Sequence, residues 1–160
     1  MYNRSETNTH KRNTHMKYTE YVESLQAGTC PFCASDDRRL VENETAYVTY
    51  ALAPYHKHHL LIIPKEHKKS FFELNKEEWG DILDLSQASS RILRYLGYEN
   101  FSMMVREGKG SGKSVEHLHY HLIPNARLGD LDHANKSRAV MSPEEIQPLV
   151  AEIRDAIDHL

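Results

Sequence analysis

The stretch His117-Leu118-His119-Tyr120-His121-Leu122-Ile123-Pro124, preceded by Val115-Glu116, sets three imidazoles at alternate positions in an otherwise apolar run. A β-strand sends residues i, i+2 and i+4 to one side, so the rings would share a face with Cα atoms roughly 7 Å apart. Leu118, Tyr120, Leu122 and Ile123 then supply the core face. A strand with a solvent-facing row of histidines satisfies the pattern. So does a site whose rings hold a metal together or divide a chemical task. Three protonated rings would repel one another, which favours neutral imidazoles near pH 7, the form that acts as nucleophile, base or metal ligand.

Working outward, Gly108-Lys109-Gly110-Ser111-Gly112 permits a tight turn with exposed amides, and a strand is expected before it at residues 101–105. Asn75 with Glu78 reads as a capping box opening a helix to about Leu96, with Ile82, Leu85, Ser89, Ile92 and Leu96 on one stripe and Gly97 closing it. Residues 60–63 read as a fully buried strand ended by Pro64, and residues 40–42 and 46–52 as an antiparallel pair. A short helix from Tyr18, ended by Gly28, delivers Cys30 and Cys33. Ser142-Pro143-Glu144-Glu145 opens a C-terminal helix, in which Pro148 is expected to cause a kink or a shifted start. Residues 1–16 are polar and without period, and are expected to be a disordered extension ahead of one domain at 17–160.

The 160 residues are 39% hydrophobic and 27% charged, ordinary for a globular chain with a real core. A net charge of -3 gives no electrostatic case for nucleic acid or a membrane surface. No apolar run reaches the roughly 18 residues of a membrane span, and no secretory h-region precedes the chain, so a cytoplasmic location is expected. There, a lone Cys30-x-x-Cys33 reads as metal-binding or redox-active rather than as a structural disulfide. With His67 and His117 it offers a Cys2His2 donor set for zinc. A reduced, metal-free cysteine pair remains open on spacing alone.

The string His117-Leu118-His119-Tyr120-His121-Leu122-Ile123 resembles the motif of the histidine-triad (HIT) family, His-φ-His-φ-His-φ-φ. The run from Pro54-Tyr55-His56-Lys57-His58-His59 through Leu60-Leu61-Ile62-Ile63-Pro64-Lys65-Glu66-His67 is similar to a second motif of the family, and Glu107-Gly108 to Val115 to its phosphate loop. The resemblance implies an α+β HIT fold: a small antiparallel sheet with one long helix and a C-terminal helix, paired into a homodimer by continuing the sheet. It implies nucleotide chemistry, with His119 attacking an α-phosphorus to form a nucleotidyl-histidine that water or another acceptor resolves. His121 would contact phosphate or leaving-group oxygens, with His59 supporting the rings. Gly112, Lys113, Ser114 and Arg106 would line the phosphates. By the same resemblance Cys30, Cys33, His67 and His117 bind a structural zinc, and the partner is a nucleotide or phosphate-ester small molecule.

Four positions depart from the likeness. Ala51 stands where the family usually places the Asp or Asn that binds ribose. Arg106 and Lys113 replace two amides, consistent with either solvated cations or a site for a more highly charged phosphate. His58 replaces a glycine, for no reason visible in the sequence. A zinc-stabilised nucleotide-binding or sensor module with little turnover is therefore the alternative to a HIT hydrolase or transferase. A catalytic metal held by His117, His119 and His121 is a third reading.

Overall fold

A computed structural model describes residues 16–25, 28–34, 37–126 and 139–160. The expected extension thus lies almost wholly outside the described residues. Strands β1 (Arg39–Glu42), β2 (Ala46–Tyr50), β3 (Leu60–Pro64), β4 (Phe101–Val105) and β5 (Tyr120–Pro124) form one sheet in the order β1-β2-β3-β5-β4, every pair antiparallel. Helices α1 (Tyr18–Ser24), α2 (Lys76–Tyr95) and α3 (Pro143–Asp158) complete the α+β architecture. Asn75 caps α2 as expected, accepting from the Glu78 amide at 3.0 Å while Glu78 Oε2 accepts from the Asn75 amide at 2.8 Å.

Strand alternation sorts the sheet into two faces. Val48, Tyr50, Leu60, Ile62, Tyr120 and Leu122 pack on Ile82, Leu85, Ile92 and Leu93 of α2 and on Ile146, Val150 and Ile153 of α3. This apolar burial, worth about 25 cal/mol per Å², supplies the main driving force of the fold. The other face carries Tyr47, Ala51, Leu61 and Ile63 with Phe32 against them. His121 pairs with Leu61 in the β3–β5 register and belongs to this second face. Ile123 is buried but shares the histidine side by alternation, contrary to its expected place in the helix-facing core.

The histidine strand is also shorter than its sequence pattern. It begins at Tyr120, where both Ile62 and Val105 pair with it, and not at Val115. Before that point the chain is held elsewhere, by the Leu118 amide donating to the Lys68 carbonyl at 2.7 Å and the His117 ring donating to the Pro64 carbonyl at 2.9 Å. Pro148 lies within the assigned span of α3, so the helix does not start after it. It is exposed, and the carbonyl it leaves without a donor is within reach of water.

Candidate active site and metal centre

Gly28, at φ +89°, turns the chain out of α1 toward Cys30 and Cys33. His67 follows β3, and His117 approaches from the segment ahead of β5. Their donor atoms all lie within 4.8 Å of one another. Cys30 Sγ is 3.3 Å and Cys33 Sγ 3.5 Å from His117 Nδ1, and Cys33 Sγ is 3.2 Å from His67 Nδ1. A tetrahedral zinc with bonds of about 2.3 Å to sulfur and 2.0 Å to nitrogen has S···N edges of about 3.5 Å, so the four residues fit such an ion. The His117 Nε2 proton is committed to Pro64, which leaves the Nδ1 lone pair facing the thiols. Burial, foremost, pushes His117 down to about 4 and keeps it neutral. Burial, and then the neighbouring Cys30, hold the Cys33 thiol above its usual range, a preference that a bound cation would reverse.

His119 sits two residues on, 5% exposed, with its Nδ1–H donating to the His117 carbonyl at 2.7 Å. Its Nε2 is therefore the nitrogen with a lone pair. Burial dominates again, pushing His119 down to about 4, with the Lys113 and Arg106 charges acting in the same direction. Repulsion between rings, the cause read from the sequence, is secondary to desolvation.

A second chain of bonds orients the other two rings. The Tyr55 amide donates to His59 Nδ1 at 3.1 Å, so a neutral His59 carries its proton on Nε2. That proton meets His121 Nδ1 at 3.0 Å, which puts the His121 proton on Nε2. The His119 and His121 rings stand 4.9 Å apart at 63°. All three rings border a cleft that also takes in Ala51, Ala53 and Phe32. One lone pair and one N–H are thus presented side by side, which suits attack on a centre whose oxygens need a donor.

The expected phosphate residues occupy the adjoining loop rather than the walls of this cleft. Arg106 Nη1 donates to the Ser111 carbonyl at 2.5 Å, Lys113 Nζ donates to the Lys69 carbonyl, and Ser114 Oγ bonds the Tyr18 hydroxyl at 2.7 Å. Gly112 takes φ +76°, and a Cβ there would come within 2.9 Å of Arg106 Nη1. Arg106 and Lys113 are therefore held by backbone carbonyls, and both act on His119 as charges.

Tyr18, Tyr21 and Arg38 also line the cleft, and the sequence reading missed them. Tyr18 and Tyr21 stand three residues apart on the short α1, a spacing that by itself carries no signal of a site. Arg38, whose Nη1 donates to the Tyr50 carbonyl at 3.0 Å, stands just ahead of β1, outside every motif named above.

The sequence profile of the HIT domain matches residues 34–128, more than half of the chain. The chain belongs to the HIT family. Among HIT relatives, an adenosine 5′-monophosphoramidase of Schizosaccharomyces pombe is 32% identical over 119 residues, covering 74% of this chain and 87% of the relative. A bis(5′-adenosyl)-triphosphatase of Dictyostelium discoideum is 28% identical over 119 residues, covering 69% of this chain and 79% of the relative. A zinc-bound HIT protein of Mycobacterium smegmatis shares the fold at a TM-score of 0.65 and 23% identity, over 82% of this chain and 94% of that one.

Proposed function

We infer that this HIT protein is an enzyme, a nucleotide hydrolase or nucleotidyl transferase acting at an α-phosphate. The observation that carries the reading is the tautomer of His119, whose Nδ1–H is tied to the His117 carbonyl while Nε2 keeps its lone pair at the cleft. Nε2 attacks the α-phosphorus, the bond to the leaving group breaks, and its electron pair departs with that group. The His121 Nε2–H hydrogen-bonds a phosphate or leaving-group oxygen through the step. Water or another acceptor then displaces the imidazole, and the proton it loses returns to the site. Imidazole is both a good nucleophile and a good leaving group, so one difficult displacement becomes two easier ones.

The names of the amoebal and yeast relatives support dinucleoside polyphosphates or nucleoside phosphoramidates as substrates. The close geometry of Cys30, Cys33, His67 and His117 supports a structural zinc at that set. Zinc there would supply folding stability rather than a reacting group, since His117 Nδ1 points to the thiols and its carbonyl to His119. The proposed setting is a reducing cytoplasm, where the thiols stay available to a metal.

Incubation with adenosine 5′-phosphoramidate and diadenosine triphosphate, followed by quench in alkaline denaturant, which spares the acid-labile P–N bond, and mass spectrometry, tests the mechanism. Wild type is expected to show a nucleotidyl adduct on His119, and His119→Asn to lose turnover by at least roughly a thousandfold. Equal rates in the two proteins would sink the assignment. Tight nucleotide binding with no adduct would mark a binding module instead.

A further inference from the structure

His58 adopts a left-handed backbone at φ +63° while its side chain is buried, 3% exposed. Glycine meets such a backbone without steric cost, whereas an imidazole-bearing residue does so only when its surroundings over-determine it. The surroundings here are specific. The His58 Nε2–H donates to Glu152 Oε2 of α3 at 2.8 Å, and Nδ1 bonds the Tyr98 hydroxyl, just past α2, at 2.9 Å. The Lys57 ammonium lies 2.8 Å from the same Glu152 oxygen and holds its carboxyl below the usual carboxylate range. The Tyr50 hydroxyl meets the His58 backbone as well.

The next residue points the other way. His59, fully buried, reaches His121 on the cleft side of the sheet at 3.0 Å. Its backbone is fixed by its amide donating to the His56 carbonyl at 3.1 Å and by its carbonyl accepting from the Ala51 amide at 3.0 Å. Two consecutive rings therefore tie opposite faces of the sheet, one to the helix layer and one to the reacting histidines. Replacing the first with glycine would relieve the backbone yet cut every side-chain tie to Tyr98 and Glu152.

We propose that His58 is a positioning residue: clamped between Tyr98 and Glu152, it fixes the turn over residues 54–59 so that the His59 Nε2–H meets His121 Nδ1. The clamp sets which nitrogen of His121 carries the proton offered to the phosphate. In its effect on turnover this rests on the proposed nucleotidyl transfer, but the geometry of the ring pair stands apart from it.

The test uses His58→Gly, whose backbone suits the turn, and Glu152→Gln with Tyr98→Phe as a second variant that retains His58. Steady-state turnover of adenosine 5′-phosphoramidate is read beside the thermal midpoint and the ring-proton NMR signal shared by His59 and His121. The expected result is a kcat lowered by about tenfold or more with KM altered by no more than about threefold, because small misplacements of reacting groups act on the transition state. The shared ring-proton signal is expected to broaden or vanish in both variants at temperatures well below their midpoints. A merely structural role would lower the midpoint and leave kcat and the signal intact, and that outcome overturns the proposal. If wild type turns over no nucleotide, the functional reading fails, and the NMR signal alone still decides whether the clamp positions His59.

Discussion

At the scale of single residues, His117 serves two neighbours with two different groups. Its ring faces the thiols and its carbonyl fixes His119, so one residue links the Cys2His2 cluster to the ring proposed as nucleophile. The alternation of the three histidines was legible in the sequence because strand period is a local property. The separate roles of the rings came there only from family likeness, since they depend on the Pro64 carbonyl and the Tyr55 amide. His58 was opaque for the same reason, its partners lying 40 and 94 residues away.

The lowered His119 pKa has a consequence for stability. The folded ring titrates at about 4 and an unfolded one near 6.5, so above 6.5 neither form binds a proton and the full stability is present. As pH falls below 6.5 the unfolded chain takes up a proton that the folded ring refuses, and stability is lost until about pH 4. The loss from this ring is on the order of 3 kcal/mol. Chemical denaturation of wild type and His119→Asn across that window is expected to show wild type losing stability more steeply. Parallel curves would mean that the folded ring is open to protons.

At the scale of elements, the Cys2His2 set draws together the loop after α1, the chain leaving β3 and the segment entering β5. These three are otherwise short of regular backbone pairing. Removing a bound metal is expected to loosen all three at once, lowering the thermal midpoint and cutting turnover by about tenfold or more, as loss of supporting contacts commonly does. Calorimetry and activity after chelation, with zinc restored as control, measure this. Unchanged turnover in a metal-free protein would separate the cluster from the nucleophile.

Most elements were readable from capping and periodicity: Asn75 and Glu78 open α2, Gly97 follows its end, and Ser142 caps α3. The start of β5 was not. An alternating pattern cannot show that the Lys68 and Pro64 carbonyls take residues 117–118 away from the sheet.

At the scale of the whole molecule, β4 is an edge strand, and the groove between it and α2 is apolar. Trp79, Leu83 and Met103 there are 42%, 58% and 44% exposed, a cluster that solvent does not favour. The Tyr120 hydroxyl, buried beside them, has no hydrogen-bond partner among the described residues. A second copy joined by continuing the sheet at this edge, one way to make the homodimer that the family likeness implies, would cover the groove. Light scattering is expected to give twice the chain mass for wild type and a single chain mass for Leu83→Lys with Met103→Asp. A monomeric wild type would remove the dimer from the picture.

The first described residues are joined to the chain that leads into α3. The Val140 amide donates to the Met16 carbonyl at 2.8 Å, Lys17 bridges Ala139, and Tyr18 reaches Ser114 beside the cleft. Trimming a recombinant version back to the start of the sheet would therefore remove a wall of the cleft that borders His119 rather than a loose end. Engineered attachments belong after Leu160, which is 64% exposed, where they leave that wall in place.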